Sequence, residues 1–214
     1  MKFCPICGQP CEGLDFCGFC GHDLRLKCPD ELQEALSPFV AASNPDGKTF
    51  TVLGVTSMSI TEATVPPCVT RIGDNAFRGC ASLRYLELPD SVTRIGANAF
   101  ENCDGLGAVT LPESVAYMGD FAFKGCRSLS RITLPASLTR IPYGAFDSCI
   151  ALRSVTVPYG VTDIEAYAFR DCRSLTSVTI PESVQAIGSG AFSYCASLRD
   201  VWAPERFRSV FLHY

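Results

Sequence analysis

The sequence predicts a repeat solenoid preceded by a small cysteine-rich module. Five sets of residues at one spacing predict the solenoid. Cys80, Cys103, Cys126, Cys149, Cys172 and Cys195 stand 23 residues apart. The same step carries Phe77 to Phe192, Ala76 to Ala191, Leu83 to Leu198 and the prolines from Pro66 to Pro204. A fixed period in the range of 20–50 residues is the mark of stacked supersecondary units. The module is predicted by two C-x2-C pairs within the first 21 residues.

Taken in chain order, the pairs are Cys4-Pro5-Ile6-Cys7-Gly8 and Cys17-Gly18-Phe19-Cys20-Gly21. Two residues between thiolates let both reach one ion from a tight turn, and the following Gly lets backbone N–H groups face sulfur. Four thiolates close a tetrahedral site, for which Zn²⁺ is the default ion and iron in a rubredoxin-like site the alternative. With Cys4, Cys7, Cys17 and Cys20 filling every position, the ion has a structural role. Cys11, Cys28 and Cys68 are left without an assigned role. The module resembles the short zinc ribbons at the N-termini of many bacterial proteins. We assign residues 1–27 to it and 28–47 to a linker, with a short helix expected at the ELQEAL stretch. Asn44-Pro45-Asp46-Gly47 is turn chemistry and marks the boundary.

Residues 48–65 are rich in Thr and Val and read as atypical strands capping a column. Six units follow over 66–203. In the unit from Pro89 to Leu111, apolar residues fall at Val92, Ile95, Ala99, Phe100, Cys103, Leu106, Val109 and Leu111. Val109-Thr110-Leu111 alternates in, out, in, as a half-buried strand does, and Pro112 ends it. One such turn cannot bury its own apolar face, so like must stack on like. Pro142 and Glu165 stand where other units have Gly after Ile, so that position is not expected to need a positive φ. Residues 204–214 begin a seventh turn, with Phe207 and Val210 in register and Arg206 and Arg208 as charged flanks. They read as a short C-terminal cap, leaving room for an end-to-end homodimer.

The order Ile-Gly, Ala-Phe, Cys, Leu, then an alternating strand and Pro resembles the BspA-like leucine-rich repeats. The resemblance implies a curved right-handed solenoid with a parallel β-sheet on its concave face, and binding of other proteins. The cysteine ladder is expected to be buried free thiols. Stacked parallel strands repeat at about 4.8 Å, a poor match to disulfide geometry, and a straight row cannot converge on a metal.

Function is sought on the strand residues expected to face the concave surface. Glu87, Thr110, Thr133, Thr156, Thr179 and Trp202 form one column, and Tyr85 and Arg131 lie two residues earlier. Trp202, Tyr85 and Arg131 are the anchor candidates. A formal charge of −4, with three basic against seven acidic residues in 1–47, argues against nucleic acid. The two histidines, His22 and His213, sit near opposite ends, and no phosphate loop or distinctive carboxylate pair occurs, so no enzyme is expected. No apolar run reaches the ~18 residues of a membrane span. No signal-peptide stretch follows Met1, and four thiolates suit a reducing compartment, so the expected location is cytoplasmic. The expected function is a non-enzymatic protein-interaction scaffold using the concave face of the repeats, with a structural zinc site. The alternative is a surface adhesin, if an export signal is missing from this chain.

Overall fold

The computed structural model describes residues 36–47 and 49–211. The four proposed zinc ligands, Cys11, Cys28 and both histidines lie outside them, as does most of the ELQEAL stretch. Among the described residues, each repeat contributes a two- to four-residue strand before its Ala-Phe segment and a three-residue strand before its proline. The resemblance implied one strand per repeat, so the shorter set is an addition.

A hairpin opens the stack: β1 (Phe39–Ser43) runs antiparallel to β2 (Phe50–Val55), joined through the Asn44–Gly47 turn. β1 falls inside the segment expected to be linker. The apolar Phe39 explains the difference, since it and Leu36 are buried in the solenoid core. β2 then pairs in parallel with β4 (Val69–Ile72), β4 with β6 (Arg94–Ile95), and β6 with β8 (Tyr117–Met118). A separate ladder joins β10 (Arg140–Ile141), β12 (Asp163–Ile164) and β14 (Ala186–Ile187). On the other side of each turn lie β3 (Glu62–Thr64), β5 (Tyr85–Glu87), β7 (Ala108–Thr110), β9 (Arg131–Thr133), β11 (Ser154–Thr156), β13 (Ser177–Thr179) and β15 (Asp200–Trp202).

The core is a column rather than a ball. Phe77, Phe100, Phe123, Phe146, Phe169 and Phe192 are wholly buried. Their rings stack at centroid spacings of 5.0, 5.0, 5.7, 5.3 and 5.3 Å. Phe39 closes one end edge-on at 6.0 Å, and Phe211 closes the other at 5.2 Å. Beside the rings, each cysteine from Cys103 on donates its S–H to the Phe carbonyl of the preceding turn at 3.1–3.2 Å. All seven described cysteines are buried and free.

Around the Ala-Phe segment runs a third set of backbone bonds, outside any strand. Asn98, Phe100 and Asn102 N–H donate to Asp120, Ala122 and Lys124 C=O, and the same triplet recurs at each junction between repeats. Making it requires two left-handed residues per turn. One column is Asn75, Asn98, Phe121, Gly144, Tyr167 and Gly190, and the other is Gly79, Asn102, Gly125, Ser148, Asp171 and Tyr194, all at φ between 53° and 77°. Only Gly and, less readily, Asn or Asp adopt this conformation cheaply. The glycines after Ile have no positive φ, as expected from Pro142 and Glu165. Their role is clearance: a Cβ on Gly96 would meet the Gly73 carbonyl carbon at 2.6 Å.

The third and fourth turns, 112–134 and 135–157, meet most loosely. At other junctions the residue after the short strand donates back to the preceding turn, as Gly119 N–H does to Ile95 C=O and Glu165 N–H to Ile141 C=O. Pro142 has no N–H. The ladder therefore breaks between β8 and β10, and the widest ring spacing, 5.7 Å, is at the same place.

At the C-terminus the seventh turn keeps its register side chains but not a strand. Phe207 is buried and Val210 half-buried on a 3-10 helix, Glu205–Phe211. Arg206 clamps the helix to the last turn, donating to Glu182 Oε2 and to the Glu182 and Val184 carbonyls at 2.7–2.8 Å.

Phe123→Ala is expected to cost about 3–5 kcal/mol, and Phe123→Leu well under half of that, in urea unfolding of the full chain. Equal costs for the two substitutions would show that the stacked rings do not set the stability.

Candidate protein-interaction face

The long strands alternate exposed, buried, exposed, so their first and third residues share one outer face. This brings all eight candidate residues together. Tyr85 and Arg131 stand in the first-residue column, and Glu87, Thr110, Thr133, Thr156, Thr179 and Trp202 in the third. Register places Thr110 beside Thr133, Thr156 beside Thr179, and Thr179 beside Trp202. Tyr85 and Trp202 are the large apolar side chains exposed in these strands, at 52% and 73%. Trp202 is thus solvent-facing at the end of the column rather than a core plug.

Charge is distributed across the face. Leading into the strands are the exposed Arg84, Arg153 and Arg199, and just after the strand-ending prolines come the exposed Asp90 and Glu113. Glu113 also accepts a bond from Ala136 N–H at 2.9 Å. Tyr85 donates its hydroxyl to Glu87 at 3.3 Å, and the Glu87 carboxylate holds its phenol above the ordinary value, with Glu62 adding to the effect. The arginines were missed in the sequence because they precede the alternating strand. Aligning whole repeats, rather than strands alone, exposes that column.

The face is not one continuous sheet. β3 pairs with β5, β7 with β9, and β11 with β13 and β15, leaving seams between β5 and β7 and between β9 and β11. At intact junctions Leu111 N–H donates to Thr133 C=O and Val157 N–H to Thr179 C=O. Among the described residues, the corresponding bonds from Leu88 to Thr110 and from Leu134 to Thr156 are not made. Each seam is a cleft. The first, about 450 Å³, is lined by residues including Arg84, Tyr85, Glu87, Asp90 and Thr110. The second, about 470 Å³, is lined by residues including Glu113, Arg131, Thr133, Thr156 and Tyr159.

The buried thiols offer no chemistry comparable to this surface. Burial pushes Cys68 up to about 11 and Cys126 up to about 12, and raises Cys80, Cys103, Cys149 and Cys172 as well. The thiolate is the reactive and metal-binding form, so these side chains are inert near neutral pH. No group of three or more His, Cys, Asp or Glu able to hold a metal occurs among the described residues.

A family model described as "BspA type Leucine rich repeat region" matches residues 55–172 and 118–211, with six copies. The chain belongs to this family. Among solved structures it is similar to the T. pallidum leucine-rich-repeat protein, with 30% identity and a TM-score of 0.73, covering 83% of this chain and 94% of that one. It is also similar to a leucine-rich cell surface protein of Faecalibacterium prausnitzii, with 30% identity and a TM-score of 0.56, covering 72% of this chain. A leucine-rich-repeat protein of Eubacterium ventriosum matches with 25% identity and a TM-score of 0.55, again over 72% of this chain. The chain spans about half the length of those last two proteins, 50% and 45%. A comparison with curated proteins gives no match. No helix among the described residues is long and apolar enough to cross a membrane.

Because the folded state holds thiol protons that the unfolded state releases above the ordinary value of 9.0, this contribution to stability is complete below pH 9. It is lost as pH rises from about 9 toward 12. At pH 8, iodoacetamide should leave all seven described cysteines of the native chain unlabelled, as read by peptide mass mapping. Labelling of Cys103, Cys126 or Cys149 in native protein would contradict the buried ladder.

Proposed function

We propose that this protein is a non-enzymatic interaction protein that binds another protein on its outer strand face. The observation carrying this reading is the alignment of Tyr85, Glu87, Arg131, the four threonines and Trp202 on one exposed surface. A three-residue-wide face with aromatic residues near both ends and an arginine between them has the residue types that dominate protein-binding energetics. The leucine-rich-repeat solenoid supports the reading, being an extended surface held on a rigid column. Trp202→Ala and Arg131→Ala should each weaken a copurifying partner by tenfold or more. Unchanged capture by both variants would place the partner elsewhere.

The N-terminal cysteines support a second module. Cys4, Cys7, Cys17 and Cys20 would hold one structural Zn²⁺, an assignment that rests on two C-x2-C pairs with following glycines. Metal analysis of the full chain should give one zinc per molecule, with near-complete loss in Cys4→Ser. Full retention in that variant is incompatible with the assignment.

Two locations follow from different observations. Four thiolate ligands favour a reducing, cytoplasmic setting. The name of the F. prausnitzii protein, a leucine rich cell surface protein, favours an adhesin-like role at the surface. Protease treatment of intact cells separates them, since only a surface protein is cut.

A further inference from the structure

The two clefts on the strand face are equivalent positions two turns apart. Each lies between a pair of parallel strands whose closing N–H···O=C bond is not made, at Leu88 and Thr110 in one and at Leu134 and Thr156 in the other. Parallel strands repeat at about 4.8 Å, so the seams lie about 9.6 Å apart. Residues i and i+7 of an α-helix face the same way and are about 10.5 Å apart along its axis. An extended strand reaches a similar distance at i+3, but there its side chain points to the opposite face. The strand face is three residues broad, about 10 Å, close to the diameter of a helix with its side chains. Between the seams, the exposed residues of β7 and β9 include Ala108, Thr110 and Thr133, small enough for a helix backbone to approach.

Charge then distinguishes the two anchors. Glu87 and Asp90 line the first cleft against Arg84, and Tyr85 adds a ring face. In the second cleft Glu113 accepts a bond from Ala136 N–H, while Arg131 makes no ion pair with a carboxylate among the described residues. Extending the reading of this face as the partner-binding surface, we propose that it takes one α-helix of a partner protein, laid along the solenoid axis. A lysine or arginine of that helix sits in the first seam against Glu87, Asp90 and Tyr85. An aspartate or glutamate seven residues away sits in the second, on Arg131.

The test is selection from a displayed library of helical peptides of about 20 residues against the full chain. Trp202, the single tryptophan, reports binding by fluorescence. Enriched peptides should share a basic and an acidic residue at a seven-residue spacing. Their affinity should fall at least tenfold on Glu87→Arg and on Arg131→Glu. Exchanging the two anchor charges in the peptide should restore binding to the double variant. Enrichment of proline-rich or extended peptides, or of helices indifferent to both substitutions, would overturn the helix proposal. If such peptides still lose affinity on Thr133→Arg, the strand face remains the binding surface. Selected peptides unaffected by Thr133→Arg, or no enrichment at all, would overturn the reading of the face as well.

Discussion

Each turn of this solenoid depends on the next for its backbone hydrogen bonds. The N–H groups of Asn98, Phe100 and Asn102 find their acceptors only in the following turn, and the S–H of Cys103 reaches back to the carbonyl of Phe77. A buried, unpaired amide costs about as much as a lost hydrogen bond. No single turn can therefore be stable alone, and each junction must repeat the same register. That constraint explains the strict residue choices. A ring larger or smaller than Phe would change the spacing at which three backbone bonds must also close. A side chain larger than Cys would separate the carbonyl it reaches from its donor.

The ends of such a stack need different residues, because there the repeat has no neighbour. Phe39 and Phe211 supply the end rings of the aromatic column from an antiparallel hairpin and a 3-10 helix rather than from further repeats. A charged column runs along the same segments. Glu101 accepts Arg78 at 2.8 Å and Lys124 at 3.6 Å from the turns on either side, and Asp147 accepts Arg170 at 3.1 Å. Because Glu101 and Asp147 are themselves buried, their ion pairs fix register between turns rather than merely solvating the surface.

The sequence makes the column legible because identical side chains at a 23-residue step have one physical explanation. Cys80 to Cys195, Phe77 to Phe192 and the alternating strands could all be placed inside or outside from period alone. Much of the candidate face was legible for the same reason, since Thr110 and its counterparts lie between two inward residues. The left-handed columns were not legible. Asn75, Asn98, Phe121, Gly144, Tyr167 and Gly190 share no side-chain chemistry, only a backbone angle. Their logic is pairwise: the Phe121 ring lies where a Cβ on Gly144 would come within 2.5 Å, and Tyr167 crowds Gly190 in the same way. β1 was hidden for another reason, being a strand in a stretch whose neighbouring turn residues suggested only a boundary. The seams depend on loss of bonds between turns, which no residue type in the strands announces.

Pro142 carries a consequence beyond its own missing bond. The third and fourth turns are joined by the segment around Ala-Phe but share neither a β8–β10 nor a β9–β11 ladder. Both strand ladders are thus interrupted at one junction, which is held instead by the Ala-Phe bonds, by Arg153 N–H to Ser130 C=O, by the Ser137 hydroxyl to Val115 C=O and by Ala136 N–H to Glu113. A partner lying across Arg131 and Thr156 would therefore act as a splint, bridging two strands that do not pair with each other.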